Sequence, residues 1–244
     1  WDLFRYPGIR SDSDMHTLGY DFKPWEAEKT IADGPSILSY VNDTADEYRI
    51  SDHIRFRQKL VSADWCSERG QWQLSVETLE GIRHYRCGVL MMCAGYYSYE
   101  QGYEPEFEGK SNFRGEWIHP QFWPDSVEYE DKKVVVIGSG ATAMTLVPNM
   151  SRKAAHVTML QRSPTYVISR PSVDGLANWL RRYLPPQLAY NIVRWRNTLW
   201  QQWMYRLTRV APGIVKRSLL KKVREEIGGL VDIEKHFTPS YNPW

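Results

Sequence analysis

Hydrophobic positions in the first half of the chain predict one helix followed by a series of strands. Between residues 35 and 48, apolar side chains recur every three or four positions, as they do on one face of an α-helix. Alternating apolar and polar residues at 54–57, 72–76 and 82–85 are typical of short strands in a β-meander. The continuous apolar run at 89–95 predicts a fully buried parallel strand. The helical face comprises Ile37, Leu38, Val41 and Ala45.

The second half of the chain predicts a β-α-β unit and then a long helical segment. Residues 133–137 and 156–161 have the composition of strands, and residues 141–149 between them have helical spacing. This order of elements indicates a parallel sheet and therefore an α/β fold. From about Gly175 to Gly229 the pattern is helical and strongly basic.

Composition and charge narrow the functional classes. The chain has 244 residues and a net charge of +2, which is too small to indicate a nucleic-acid partner. The three cysteines, Cys66, Cys87 and Cys93, lack the spacing of a metal site or of a disulfide framework. We therefore expect no bound metal and a reducing, cytoplasmic compartment. No apolar run approaches the roughly 18 residues that cross a bilayer.

A glycine-rich turn after residues 133–137 is the sharpest functional signal. It is a GxGxxA fingerprint between a strand and a helix, as in dinucleotide-binding folds. Gly138 permits a tight turn, Gly140 lets the backbone approach a pyrophosphate, and Ala143 lets the helix pack closely on the strand. The helix N-terminus directs free amides and its dipole at the phosphates. The predicted dinucleotide-binding residues are Gly138, Ser139, Gly140, Ala141, Thr142 and Ala143.

The end of the second strand indicates which dinucleotide binds. A site for NAD has an aspartate or glutamate there, which accepts hydrogen bonds from the ribose. This strand is followed by Arg162 and Ser163 instead. An arginine can pair with the 2′-phosphate of NADPH, and a serine can donate a second hydrogen bond. The alternative is an ordinary solvated arginine at a strand end; we expect NADPH.

The segment from Phe113 to Pro124 carries a longer motif. It resembles the FxGxxxHxxxWP fingerprint of the Baeyer–Villiger flavin monooxygenases, the class B flavoprotein monooxygenases, at every fixed position. The matching residues are Phe113, Gly115, His119, Trp123 and Pro124. We interpret His119 as a structural and hinge residue rather than as the base of a reaction.

Other segments extend this resemblance over nearly the whole chain. Residues 1–14 look like the flavin-contacting loop of the family, and residues 93–97 look like its variant of the ATG motif, which links the flavin and NADPH domains. Residues 161–166 and 236–244 are similar to the actinobacterial branch that activates the thioamide drug ethionamide.

The resemblance implies two Rossmann-like dinucleotide-binding domains, for FAD and NADPH, together with the β-meander and a helical insertion. In the family, NADPH reduces FAD and the reduced flavin captures O₂ as a C4a-peroxide. One oxygen atom then enters a ketone, which gives an ester, or is transferred to a sulfide or thioamide. The flavin supplies the difficult chemistry, and protein groups position it. We therefore expect a ketone, sulfide or thioamide as the small-molecule substrate.

The resemblance also assigns roles to residues of the N-terminal loop. Asp12 is expected to hold the catalytic arginine beside the flavin through a charge-assisted pair. The predicted FAD contacts are Trp1, Asp2 and Leu3, and the predicted contacts near the nicotinamide are Arg10, Ser11 and Asp12.

The resemblance further implies that the chain is truncated at both ends. The FAD-binding GxGxxG of the family belongs before Trp1, and its catalytic arginine lies beyond Trp244, so we expect the fragment alone to be inactive. The expected parts are a partial FAD domain with linker at 1–130, a partial NADPH domain at 131–174, a helical insertion at 175–230 and a return segment at 231–244.

Two alternative interpretations stay open. Flavin-dependent N- or S-oxygenases share the fold, but their fingerprint lacks the final Trp-Pro. The basic helices at 176–226 suit a membrane-surface or partner-binding module, because tryptophans and a tyrosine interleave with arginines. We favour a helical insertion whose aromatic residues are core and whose arginines are solvated. These aromatic residues are Trp179, Trp195, Trp200, Trp203 and Tyr205.

Overall fold

The computed structural model describes residues 1–243 in two compact units. One unit combines the segments before Asn42 and after Phe107, and the other is Asn42–Phe107. Trp244, which ends the predicted return segment and the family motif at 236–244, lies outside the described residues. These units are defined by contacts, so the predicted boundaries between cofactor domains stay predictions.

The N-terminal loop and two helices form part of the core of the first unit. Asp14 caps the short helix α1 (Met15–Leu18), and its carboxylate accepts the Thr17 amide at 3.0 Å. Helix α2 (Gly34–Glu47) confirms the helix predicted at 35–48. Of the predicted apolar face, Ile37 is fully buried, whereas the other three residues are half-buried. The core cluster here comprises Met15, Trp25, Ala32, Ile37, Tyr40 and Tyr190.

The second unit contains the predicted β-meander. Strands β1 (Lys59–Cys66), β2 (Gln71–Thr78) and β3 (Gly81–Cys87) are antiparallel in that order. The strand predicted at 54–57 is wrong, and the first strand begins two residues later. Arg57 has a φ of 56°, a left-handed conformation that an extended strand cannot contain.

The buried strand predicted at 89–95 is also wrong. This segment is irregular, and the exposed fractions of Val89 and Met91 are 80% and 79%. A strand requires a neighbour with which to exchange backbone hydrogen bonds. Within residues 1–243, no strand lies beside this apolar run.

The predicted β-α-β unit is confirmed in the first unit. Strand β4 (Lys133–Ile137) pairs in parallel with β5 (His156–Leu160), and helix α3 (Ala141–Met150) connects them. The helix packs against both strands. The glycine-rich turn therefore lies at the carboxyl end of β4, beside the carboxyl end of β5.

The segment at 175–230 is helical, as predicted. It contains α4 (Gly175–Tyr183), α5 (Pro186–Val210) and α6 (Pro212–Ile227), and the short α7 (Ile233–Phe237) follows. The expectation that these aromatic residues are core is wrong, because the helices pack through other faces, which carry Ala177, Ala189, Tyr190 and Val193. The five aromatic residues of that expectation are all exposed, namely Trp179, Trp195, Trp200, Trp203 and Tyr205. Among the described residues, no helix is long and apolar enough to cross a membrane.

Candidate cofactor-binding site

The backbone of the glycine-rich turn has the conformation that its sequence predicts. Gly138 has a φ of 124°, which L side chains rarely adopt, so this position requires glycine. Its amide donates a hydrogen bond to the carbonyl oxygen of Leu160 at 2.8 Å. This bond fixes the turn against the end of β5.

The N-terminus of α3 is open to a ligand. Gly140 is the N-cap residue, with extended backbone (φ −78°, ψ −177°) and no side-chain cap. A Cβ atom built at Gly140 meets no atom within 4 Å, so the space in front of the first turn is free. Amides without an intrahelical partner and the positive end of the helix dipole are the groups that bind phosphate. Ala143 is buried, as expected for the residue that lets helix and sheet pack closely.

Arg162 and Ser163 follow β5 after one intervening residue, Gln161, and are exposed. The Gly138 amide donates to Leu160, the last residue of that strand. Arg162 and Ser163 are therefore only two and three residues along the chain from a residue that contacts the glycine-rich turn. Gln161 Nε2 donates to the carbonyl of His236 at 2.7 Å, so the return segment holds the strand end in place. This placement fits the predicted 2′-phosphate contact, which stays a prediction.

Tyr6 connects the N-terminal loop to the glycine-rich turn. The phenol of Tyr6 lies near the side chain of Thr142 and close enough to the Asp12 carboxylate to feel its charge. Burial raises the pKa of Tyr6 above its usual value, the polar side chain of Thr142 opposes this rise, and the charge of Asp12 adds to it. Sequence reasoning missed Tyr6, because a tyrosine in an irregular loop belongs to no recognisable motif.

A second close approach supports this arrangement. Gly8 has a φ of 79°, and a Cβ atom built on it would lie 2.0 Å from Asn149 Nδ2, near the end of α3. The loop can therefore lie against the helix only with glycine at this position. The structure thus brings the predicted flavin-contacting loop and the predicted NADPH turn together within one compact unit.

The other predicted residues of the N-terminal loop have different environments. Ser11 is 2% exposed, and its hydroxyl accepts the Ala32 amide at 3.1 Å, so this side chain supports the fold. Arg10 and Asp12, on either side, are exposed. Trp1 and Leu3 are exposed as well, and Asp2 forms an exposed ion pair with Arg5 at 3.0 Å. Their predicted contacts with cofactors stay predictions.

The fingerprint segment folds on itself through aromatic contacts. The ring of Phe113 lies against Gly115, where a Cβ atom would come within 2.5 Å of it. His119 Nδ1 accepts the amide of Gln121 at 3.3 Å and so caps a short 3₁₀ turn. This contact agrees with a structural role for the histidine. Trp123 packs edge-to-face on Tyr129, and Pro124 follows it at the surface.

Among the described residues, no group of three histidine, cysteine, aspartate or glutamate side chains could hold a metal ion. The motif at 93–97 lies in the second compact unit. Its residues are exposed, and the hydroxyl of Tyr99 donates to the carbonyl of Ala94 at 3.0 Å.

Comparison with known proteins identifies the family. Over 245 residues the chain is 49% identical to the FAD-containing monooxygenase EthA of Mycobacterium tuberculosis, covering 100% of this chain and 50% of that protein. Among solved structures it is similar to an oxidised steroid monooxygenase bound to NADP, with 28% identity, a TM-score of 0.64 and coverage of 78% of this chain and 36% of that chain. It also resembles OTEMO in complex with FAD and NADP, with 28% identity, a TM-score of 0.56 and coverage of 68% and 32%.

The family model for flavin-binding monooxygenase-like proteins matches residues 21–196. The chain spans about half the length of the curated relatives that it matches. The resemblance expected from the fingerprint and the glycine-rich turn is therefore confirmed, and the chain belongs to the flavin-binding monooxygenase-like family.

Proposed function

We propose that the full-length protein is an FAD- and NADPH-dependent monooxygenase of the Baeyer–Villiger type. It inserts one oxygen atom of O₂ into a ketone or transfers it to a sulfide or thioamide. The main support is the close approach of the N-terminal loop to α3, the helix of the dinucleotide turn: a Cβ atom built on Gly8 would lie 2.0 Å from Asn149 Nδ2, and the Tyr6 phenol lies near Thr142. Hydride transfer from NADPH to a flavin requires the flavin-contacting region and the NADPH-binding region to lie next to each other.

The chemistry of the turn suits an NADPH phosphate. The uncapped first turn of α3 supplies amides and a positive dipole, and Gly140 leaves room for the pyrophosphate. Arg162, which follows the adjacent strand, would pair with the 2′-phosphate. When bound, FAD supplies the activation of O₂, and the protein holds and orients the two cofactors.

Asp12 would supply the carboxylate that orients a cation near the reacting atoms. It is exposed, and no hydrogen bond or ion pair within residues 1–243 satisfies it. A cationic group could therefore pair with Asp12 without displacing another partner. Such preorganised charges stabilise the anionic oxygen that develops during oxygen transfer.

Isotope labelling of the full-length enzyme tests the proposal. The purified protein is incubated with NADPH, ¹⁸O₂ and, in separate reactions, a methyl ketone, an aryl sulfide and a thioamide. The proposal predicts an ester from the ketone with a single ¹⁸O atom, formed with stoichiometric NADPH oxidation. Oxygenation of the sulfide and thioamide without any ester would favour the alternative of an N- or S-oxygenase. NADPH oxidation that gives no labelled product with any of the three would contradict it.

A further inference from the structure

Helix α5 has two apolar faces, and within residues 1–243 only one of them packs against other elements. Ala189, Tyr190 and Val193 are buried on one face, and the Tyr190 hydroxyl donates to the carbonyl of Tyr20 at 2.9 Å. On the opposite side, six large apolar side chains are exposed, within an arc of roughly 80° and along about 33 Å of helix. This exposed stripe consists of Leu188, Ile192, Trp195, Leu199, Trp203 and Val210.

The preceding helix repeats the pattern. In α4, Leu176, Trp179 and Tyr183 are exposed at the spacing i, i+3 and i+7, which places them on one helix face. Both helices thus present tryptophan together with leucine or isoleucine to the outside. Tryptophan and tyrosine prefer environments that are apolar on one side and wet on the other, as at a lipid headgroup layer.

These helices carry a net positive charge, whereas the remaining chain carries a net negative charge. Residues 175–230 contain 11 of the 31 lysine and arginine residues but only two of the 29 acidic residues. Some of this positive charge is used internally, because Arg196 pairs with Asp174 and Arg194 donates to the carbonyls of His16 and Gly19. Much of it is available at the surface. The exposed basic side chains include Arg182, Arg206, Arg217 and Lys222.

We propose that the exposed stripe of α5, together with the exposed face of α4, binds the surface of an anionic lipid bilayer. The apolar side chains would enter the headgroup layer while the basic residues contact lipid phosphates, with each basic residue adding to the attraction. A second copy of the chain fits this face less well, because a two-fold interface would set the same basic surface against itself. This inference does not rest on the proposed oxygenation chemistry.

Vesicle co-sedimentation of the full-length enzyme tests the inference with matched variants. Wild type should sediment with vesicles of phosphatidylcholine and phosphatidylglycerol, less with phosphatidylcholine alone, and less at high salt. Trp195→Ser and Trp203→Ser should each lower the partition coefficient about tenfold or more, since a large apolar side chain no longer enters the bilayer. Tyr205→Ser is the control, because Tyr205 is equally exposed on α5 but lies outside the stripe.

Three results would overturn the inference. One is wild-type enzyme that stays in the supernatant with anionic vesicles at low salt, a test that depends on no variant. Another is equal loss of binding in Tyr205→Ser and Trp203→Ser. The third is evidence that protein covers the stripe instead. Such evidence would be a change of oligomeric state of Trp195→Ser in sedimentation velocity, or a lower Tm of this variant without lipid.

Discussion

Alanine at the two glycines of the dinucleotide turn should have different effects on stability. Gly138 has a φ of 124°, and an alanine there would be strained whatever space surrounds it. Such a conformation costs about 1–3 kcal/mol in a residue other than glycine. We expect Gly138→Ala to lose that much stability and NADPH binding together, because the turn itself is distorted.

Gly140→Ala should separate binding from stability. At a φ of −78° alanine is unstrained, and its Cβ atom meets nothing within 4 Å. Alanine restricts the unfolded chain, which stabilises the folded protein by about 0.4–1 kcal/mol. Its weaker preference for the N-cap position destabilises the folded protein by roughly the same amount. Stability should therefore stay near that of wild type. NADPH affinity should fall about ten- to a hundredfold, since the added methyl group displaces a phosphate from one charge-assisted hydrogen bond.

Thermal unfolding of the cofactor-free full-length enzyme and calorimetric titration with NADP⁺ measure the two effects separately. The reasoning predicts a lower Tm only for Gly138→Ala and weaker binding for both variants. If Gly140→Ala bound NADP⁺ as tightly as wild type, the turn would not be the phosphate cradle. Equal Tm values for the two variants would refute the argument from backbone conformation.

Four further predictions concern residues of the first unit. Arg162→Ala should lower the efficiency with NADPH about ten- to a hundredfold and leave NADH nearly unchanged in steady-state kinetics; equal losses would show a purely structural role. Asp12→Ala should retain FAD yet slow product formation by about a hundredfold, and a normal rate would disprove its role. In a double-mutant cycle, Tyr6→Phe and Thr142→Val should couple by about 0.5–1.5 kcal/mol in NADP⁺ binding, and additive effects would remove the proposed link. His16 is buried, its ring nitrogens have no hydrogen-bond partner among the described residues, and burial lowers its pKa although nearby carboxylates oppose this. The contribution of neutral His16 to stability is thus complete above about pH 6.5 and is lost as the pH falls from there towards its folded pKa. Between pH 8 and pH 5, the Tm of His16→Gln should therefore fall less than the Tm of wild type. Parallel Tm curves for the two proteins would contradict this.

Local sequence determined the helices and strands whose formation depends on the spacing of apolar residues along one segment. The β-α-β unit at 133–160, the meander and the helical segment follow from apolar periodicity, which reflects the geometry of a single helix or strand. The requirement for glycine at Gly138 likewise follows from the backbone of one residue. The pattern failed in two segments, 54–57 and 89–95, and at 54–57 one left-handed residue interrupted an otherwise suitable alternation.

Tertiary structure alone decided which surfaces meet. Tyr6 and Thr142 are far apart in sequence, and no periodicity indicates that their side chains lie near each other. Ser11 had the position of a cofactor contact in a motif, yet pairing with Ala32 turned its hydroxyl inward. Helix α5 has apolar residues on two faces, so its sequence could not show that Tyr190 would be buried and Trp195 exposed. The physical reason is that a side chain is buried by its neighbours in space, and these come from distant parts of the chain.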